Sequence, residues 1–267
     1  MSASADQVID QSILLRDDSD GITTLTLNRP AQYNALSGEL LSELQTALDD
    51  INRDESVRVV VIAANGKAFC PGHDLKEMRA SEEREVHQAL FDKCSKMMLT
   101  INQLQQPVIA RVNGIATAAG CQLVANCDLA LAAEDSRFAV SGIKVGLFCS
   151  TPAVPLSRNM GRKQALHMLL TGDFISAQTA QQYGLVNEVV PAAELEQATI
   201  ALAEKIVARS AHAIKLGKEM FYRQLTMDLS EAYAYASERM ACNMDSHDAR
   251  EGIDAFIQKR KPEWIGK

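Results

Sequence analysis

Apolar positions fall into two alternating periods along the first half of the chain. Ile22 to Asn28 and Val57 to Ala63 are β-branched runs, the second almost unbroken in apolar residues, as expected of a strand covered on both faces. Between them, Ser37 to Ile51 carries Leu40, Leu41, Leu44 and Leu48 at helical spacing. The alternation repeats: helical periodicity over Glu82 to Leu104, a strand over Val108 to Val112, a helix over Ala118 to Asn126 and a strand over Asp128 to Ala133. Such alternation predicts a parallel-rich sheet layered with helices. From Leu156 onward the pattern is helical to the end, which predicts a helical C-terminal subdomain. Residues 1–20 are polar and are expected to be a flexible segment.

At 267 residues the chain is long enough to bury a substantial core. Its net charge of −7 argues against nucleic acid as the main partner. The first twenty residues lack a basic segment followed by an apolar one and contain several acids, so the cytoplasm is the expected compartment. No run of about 18 apolar residues predicts a membrane span. The six cysteines have no CxxC spacing and sit among apolar or small residues, which reads as reduced, mostly structural thiols. The histidines show no metal-ligand spacing, and no metal is expected.

The candidate chemistry lies in two segments of small residues that each run into a helical pattern: GKAFCPGHDLKEM at 66–78 and NGIATAAGCQLVANC at 113–127. Small side chains let a ligand approach the backbone, and a helix start leaves N–H groups unpaired. Two such segments aimed at one oxygen would form an oxyanion hole.

Together with LNRPAQYNAL at 27–36, LTGDFISAQTAQQYGLVNEVV at 170–190 and EGIDAFIQKRKPEW at 251–264, these motifs closely resemble the crotonase (enoyl-CoA hydratase/isomerase) superfamily over roughly Ile22 to Trp264. The resemblance implies an α/β fold with a spiral core of ββα turns and a C-terminal helical oligomerisation subdomain. In those terms residues 21–200 form the acyl-CoA-binding core and 201–267 the helices that join subunits into a trimer or a dimer of trimers. The substrate it implies is an acyl-CoA thioester, coenzyme A entering as part of that substrate. Motif matching assigns the two oxyanion-hole amides to His73 and Ala119.

The same matching places Gln122 and Gly142 where the hydratases carry their two glutamates, because RFAVSGIKVGLF stands where a Pro-Glu pair is expected. Neither residue titrates near neutral pH. No carboxylate is therefore expected beside the reacting carbons. Other residues with chemistry to offer are Ser141, which would orient a water, and Cys149, which is either a nucleophile activated by a helix N-terminus or an inert wall. The His73 side chain is either a proton donor or a lining residue. For the coenzyme, the resemblance points to an adenine slot near Asn34, Ala35 and Leu36, and to Arg29, Lys76, Lys259 and Lys261 as phosphate partners, the last two from a neighbouring subunit. Three readings remain open: an enzyme with an altered reaction, a non-catalytic acyl-CoA-binding protein, and a structural oligomer.

Overall fold

The computed structural model describes residues 12–267. Ten strands and eleven helices are arranged in two sheets with helices around them. In chain order they are β1 (Leu14–Ser19), β2 (Ile22–Leu27), α1 (Gly38–Ile51), β3 (Val59–Ala64), β4 (Ala68–Cys70), α2 (Leu75–Arg79) and α3 (Arg84–Gln103). Then follow β5 (Val108–Val112), β6 (Ile115–Thr117), α4 (Ala119–Asn126), β7 (Leu129–Ala133), β8 (Arg137–Ala139), α5 (Ser150–Asn159), α6 (Arg162–Thr171), β9 (Ile175–Ser176), α7 (Ala177–Tyr183) and β10 (Glu188–Val190). The last four helices are α8 (Leu195–Val207), α9 (Ala211–Gln224), α10 (Leu229–Met244) and α11 (His247–Gln258).

The larger sheet runs β1-β2-β3-β5-β7-β10 and the smaller β4-β6-β8-β9. All pairings in the larger sheet beyond β1–β2 are parallel. Each ββ step, β3 to β4, β5 to β6 and β7 to β8, leaves the larger sheet and enters the smaller one. The chain then returns through helices to the next strand, which makes the core a spiral of ββα turns.

The unbroken apolar run of β3 follows from burial on both faces. Val60 and Ile62 join the main core with Leu25, Leu27, Phe69 and the leucines of α1. Val59, Val61 and Ala63 join a second cluster with Ile109 and Leu131, covered by Leu195 and Ala203 of α8. A strand with one wet face would alternate.

Two expected boundaries need correction. Residues 14–19 are not a frayed tail: β1 pairs antiparallel with β2 from Leu14↔Leu27 to Ser19↔Ile22, and its exposed acidic residues disguise a strand held by backbone bonds. Residues 1–11 lie outside the described part. At the other end, α8 runs across the expected division at 200–201 and packs on the larger sheet, so it belongs to the core layer.

The C-terminal helices are pinned to that core through Asp128, which precedes β7. Its carboxylate accepts hydrogen bonds from Val108 N–H (2.7 Å), Lys218 Nζ (2.6 Å) and Tyr222 Oη (2.7 Å), the last two on α9. Lys218 Nζ also donates to the carbonyls of Ile101 and Gln106, both at 2.9 Å. Burial pushes the Lys218 pKa down, opposed by Asp128. Burial and the Asp128 charge push Tyr222 up.

Candidate active site

The turn after β2 and the segment after β4 meet side by side. Leu36 N–H donates to Gly72 C=O (2.8 Å) and Asp74 N–H donates to Leu36 C=O (3.2 Å), forming a short parallel bridge between Leu36 and His73. In such a ladder the residue between the two bonded neighbours directs its own N–H to the other side. The His73 amide accordingly has no backbone acceptor among the described residues. Asn34, fully buried, holds this turn in place: Oδ1 accepts from Arg29 N–H, and Nδ2 donates to the carbonyls of Asn65 and Ala68, all at 2.8 Å.

The second amide is supplied by α4. Ala119 is its first helical residue, so its N–H is one of those an α-helix leaves unpaired. Before it, Ala118 adopts φ 48°, ψ −121°, a backbone region costing a non-glycine residue about 1–3 kcal/mol. Ala118 N–H donates to Ala139 C=O (3.0 Å), which fixes this strained residue against β8. Its conformation sets the direction of the Ala119 amide. The segments touch: a methyl placed on Gly72, at φ +103°, would lie 3.1 Å from Ala119 N and 2.9 Å from Ala118 Cβ.

Both segments open onto one cavity of about 680 Å³. His73, Ala119, Ser141, Gly142 and Cys149 all line it, as do Ala35 and Lys76. Ala35 is a buried wall residue and Lys76 an exposed rim cation, with no ion-pair partner among the described residues. Apolar side chains complete the lining: Tyr33, Leu75, Phe91, Val145, Leu147 and Phe148. Tyr33 and Asn34 both have positive φ, and the asparagine beside a proline-containing turn was the available signal.

Several expectations are corrected by the geometry. Arg29 is unavailable to a phosphate: Nη1 donates to Ala35 C=O (2.5 Å) and Nη2 pairs with Asp74 (3.3 Å), its side chain only 16% exposed. Leu36 is fully buried, and only its backbone serves the site. Lys259 and Lys261, expected to serve a neighbouring subunit, follow the end of α11 and do not line their own chain's cavity. Gln122 is 3% exposed, sits in the first turn of α4 and does not line the cavity; its Oε1 has no hydrogen-bond partner.

Cys149 is buried, and burial raises its thiol pKa, with the Gly142 backbone opposing. That is the reverse of what a nucleophilic thiolate needs. The His73 ring stands edge-on to Phe91 at 5.5 Å, with neither nitrogen hydrogen-bonded. Burial lowers its pKa, opposed by the Leu36 carbonyl and Glu77.

One carboxylate does line the cavity, that of Asp74. Its Oδ1 caps α2 by accepting from Lys76 N–H (3.1 Å), and its Oδ2 faces Arg29. It is occupied in holding the site together. The position beside Gly142 is filled as well: a Cβ there would come within 2.7 Å of both Cys149 Sγ and Leu147 O. The turn itself occupies the start of any longer side chain at 142.

A ββα spiral with two amides from neighbouring segments at one cavity defines a protein of the crotonase superfamily. The chain belongs to the enoyl-CoA hydratase/isomerase family, whose model matches residues 17–267. It is 48% identical to the rat enoyl-CoA hydratase domain-containing protein 3 over 245 residues, covering 92% of this chain and 82% of that one. It is 34% identical to the 2,3-dehydroadipyl-CoA hydratase of Escherichia coli over 247 residues, covering 92% of this chain and 96% of that one. The solved structure of an enoyl-CoA hydratase from Mycobacterium smegmatis superposes with a TM-score of 0.94 at 57% identity, covering 95% of this chain and 99% of that one.

The cytoplasmic expectation is overturned by these relatives: the rat protein and its mouse and human counterparts are named as mitochondrial. The composition of the first twenty residues was too weak a signal to carry a compartment.

Proposed function

We propose that this chain binds an acyl-CoA thioester with the carbonyl oxygen between the His73 and Ala119 amides, and that it processes the acyl group without a glutamate acid–base pair. The observation that carries this reading is the pair of unpaired amides on touching segments at one cavity. In water such amides lose nothing by pointing at solvent. In a closed cavity they favour an oxygen that gains negative charge during reaction, each such donor contributing about 3 kcal/mol, or 10²-fold.

An enolate and a tetrahedral oxyanion both meet that description. Forming an enolate by proton removal needs a base at the α carbon. Gln122 and Gly142 cannot serve, Asp74 is engaged with Arg29 and the α2 cap, and both His73 ring nitrogens are buried. Reactions that build charge on the oxygen by another route fit better: loss of a carboxyl group, attack of water on the thioester, or isomerisation with a proton carried by water or substrate. Ser141, whose side chain has no partner among the described residues, would orient such a water. Lys76 at the rim would meet a phosphate of the coenzyme, with Ala35 in the wall beside it.

The second reading, a non-catalytic acyl-CoA-binding protein, is favoured by the same empty acid–base positions. A panel of acyl-CoA thioesters assayed for turnover, for deuterium uptake at the α carbon and for binding by calorimetry separates the two. Tight binding with neither turnover nor exchange supports the binding protein; absence of binding defeats both. Exposed apolar side chains on α10 and α11, among them Tyr233, Met240 and Phe256, suit assembly into a trimer or a dimer of trimers.

A further inference from the structure

The cavity has two unlike ends. At one, α2 contributes Asp74 and Lys76 together with the apolar Leu75 and Met78, beside Gln32 and Tyr33. At the other, the turn between β8 and α5 contributes Val145, Leu147 and Phe148, with no charged lining residue. The cation nearest this turn in sequence, Lys144, does not line the cavity and is paired with Asp173 at 3.0 Å. Val145 is 62% exposed, Leu147 48% and Phe148 46%. Three large apolar residues in a short surface turn lose hydrophobic free energy unless something apolar covers them. Their continuity with the cavity indicates what does.

We propose that the acyl end of this site is an open apolar trough formed by Val145, Leu147 and Phe148, so that the chain selects thioesters with a long, uncharged acyl group over short or carboxylate-tipped ones. The inference rests on the acyl-CoA reading above and adds the direction and chemistry of the acyl group. The phosphate-bearing arm belongs at the Lys76 end, because an anion there meets a cation. The acyl group then extends past His73, Ala119 and Gly142 towards the apolar turn. A carboxylate at its tip would find no cation there and would give up part of its water against the apolar walls.

Calorimetric titration of the full-length protein with butyryl-, hexanoyl-, adipyl- and dodecanoyl-CoA, below their micellar concentrations, tests this. A fully buried methylene is worth about fourfold in affinity. With walls half exposed, dodecanoyl-CoA should bind on the order of a hundredfold more tightly than butyryl-CoA. Adipyl-CoA should bind at least about tenfold more weakly than hexanoyl-CoA. Phe148→Ser and Val145→Asp each change an exposed side chain, and either should shrink the dodecanoyl-to-butyryl ratio by about tenfold or more. Two variants guard against one that fails to fold.

Equal affinities for butyryl- and dodecanoyl-CoA would overturn the inference while leaving the acyl-CoA reading intact. So would a dodecanoyl preference that both variants retain, since that is non-specific association. A Val145→Asp chain that changes oligomeric state and keeps the preference would assign the turn to a second copy, again overturning it. Adipyl-CoA matching hexanoyl-CoA would do the same for the uncharged tip. Binding of none of the four defeats the inference together with the reading beneath it.

Discussion

Restoring a carboxylate at residue 142 does not rebuild a hydratase. A Cβ on Gly142 would stand 2.7 Å from Leu147 O and 2.7 Å from Cys149 Sγ, where carbon contacts settle at about 3.5–4.0 Å. The Leu147 carbonyl is held in a turn closed by Leu147 N–H donating to Gly142 C=O at 2.9 Å. The turn must open for the new side chain to enter. Overpacking of this kind costs about 1–3 kcal/mol, and replacing Cys149 by alanine relieves only one of the two contacts. Each well-placed acid–base group contributes about 10²–10⁴ in rate. A glutamate forced out of position at 142 contributes little, so the Gln122→Glu, Gly142→Glu pair should gain no more than the first substitution allows. Loss of enoyl absorbance with crotonyl-CoA reads the rate, and urea unfolding reads the stability. Gly142→Glu as stable as the unaltered chain, with the pair gaining more than about 10⁴ in rate, would refute the reasoning. An unaltered chain already hydrating at an ordinary hydratase rate would refute it more simply.

Other consequences are equally open to measurement. Lys218→Met removes the cationic partner of a nearly buried Asp128 and the donor to two carbonyls, so urea unfolding should show a loss of about 3–5 kcal/mol; a change below about 1 kcal/mol would mean the network does not pin α9. Asn34→Ala removes three hydrogen bonds, one buried and two part-buried, costing about 1–3 kcal/mol for each buried group left unsatisfied, with acyl-CoA binding weakened because the His73 segment loosens. The His73 ring, held neutral by burial, has a folded pKa below its unfolded value. The unfolded chain binds the extra proton, so this contribution is complete above about pH 6.5 and is lost as pH falls from there towards the folded pKa. Comparing chemical denaturation from neutral to acidic pH in His73→Phe should show that part of the slope missing; an identical slope in both chains would contradict the assignment. Cys149 should react with iodoacetamide more slowly than a free thiol at neutral pH, because its thiolate is disfavoured; faster reaction would restore it as a nucleophile.

The long elements were legible because burial and period agree. α1 buries Leu40, Leu41, Leu44 and Leu48 in the order its spacing dictates, and β3 is apolar throughout because α8 covers one face and the main core the other. The second sheet was not legible. β4, β6 and β8 have three residues each, AFC, IAT and RFA, too few to display a period of two. The spiral therefore came from the resemblance, and only the alternation of strands between sheets establishes it. The backbone positions His73 and Ala119 were assigned by motif matching, and small residues and helix starts gave the physical reason to look for free amides there. Positions that depend on side-chain direction fared worse: Arg29 turns inward to Ala35 and Asp74, and Leu36 faces the core, neither of which a motif reports. The carboxylate of Asp74 entered the cavity unannounced, since nothing in its spacing distinguishes a lining residue from a surface one.

The central claim is that two amides grip one thioester oxygen. Infrared difference spectroscopy of an acyl-CoA carrying carbon-13 at the thioester carbonyl, bound and free, observes that bond directly. Two converging donors should polarise it and shift its stretch to lower frequency on binding. A bound ligand whose carbonyl stretch matches that in water, or moves higher, would contradict the account.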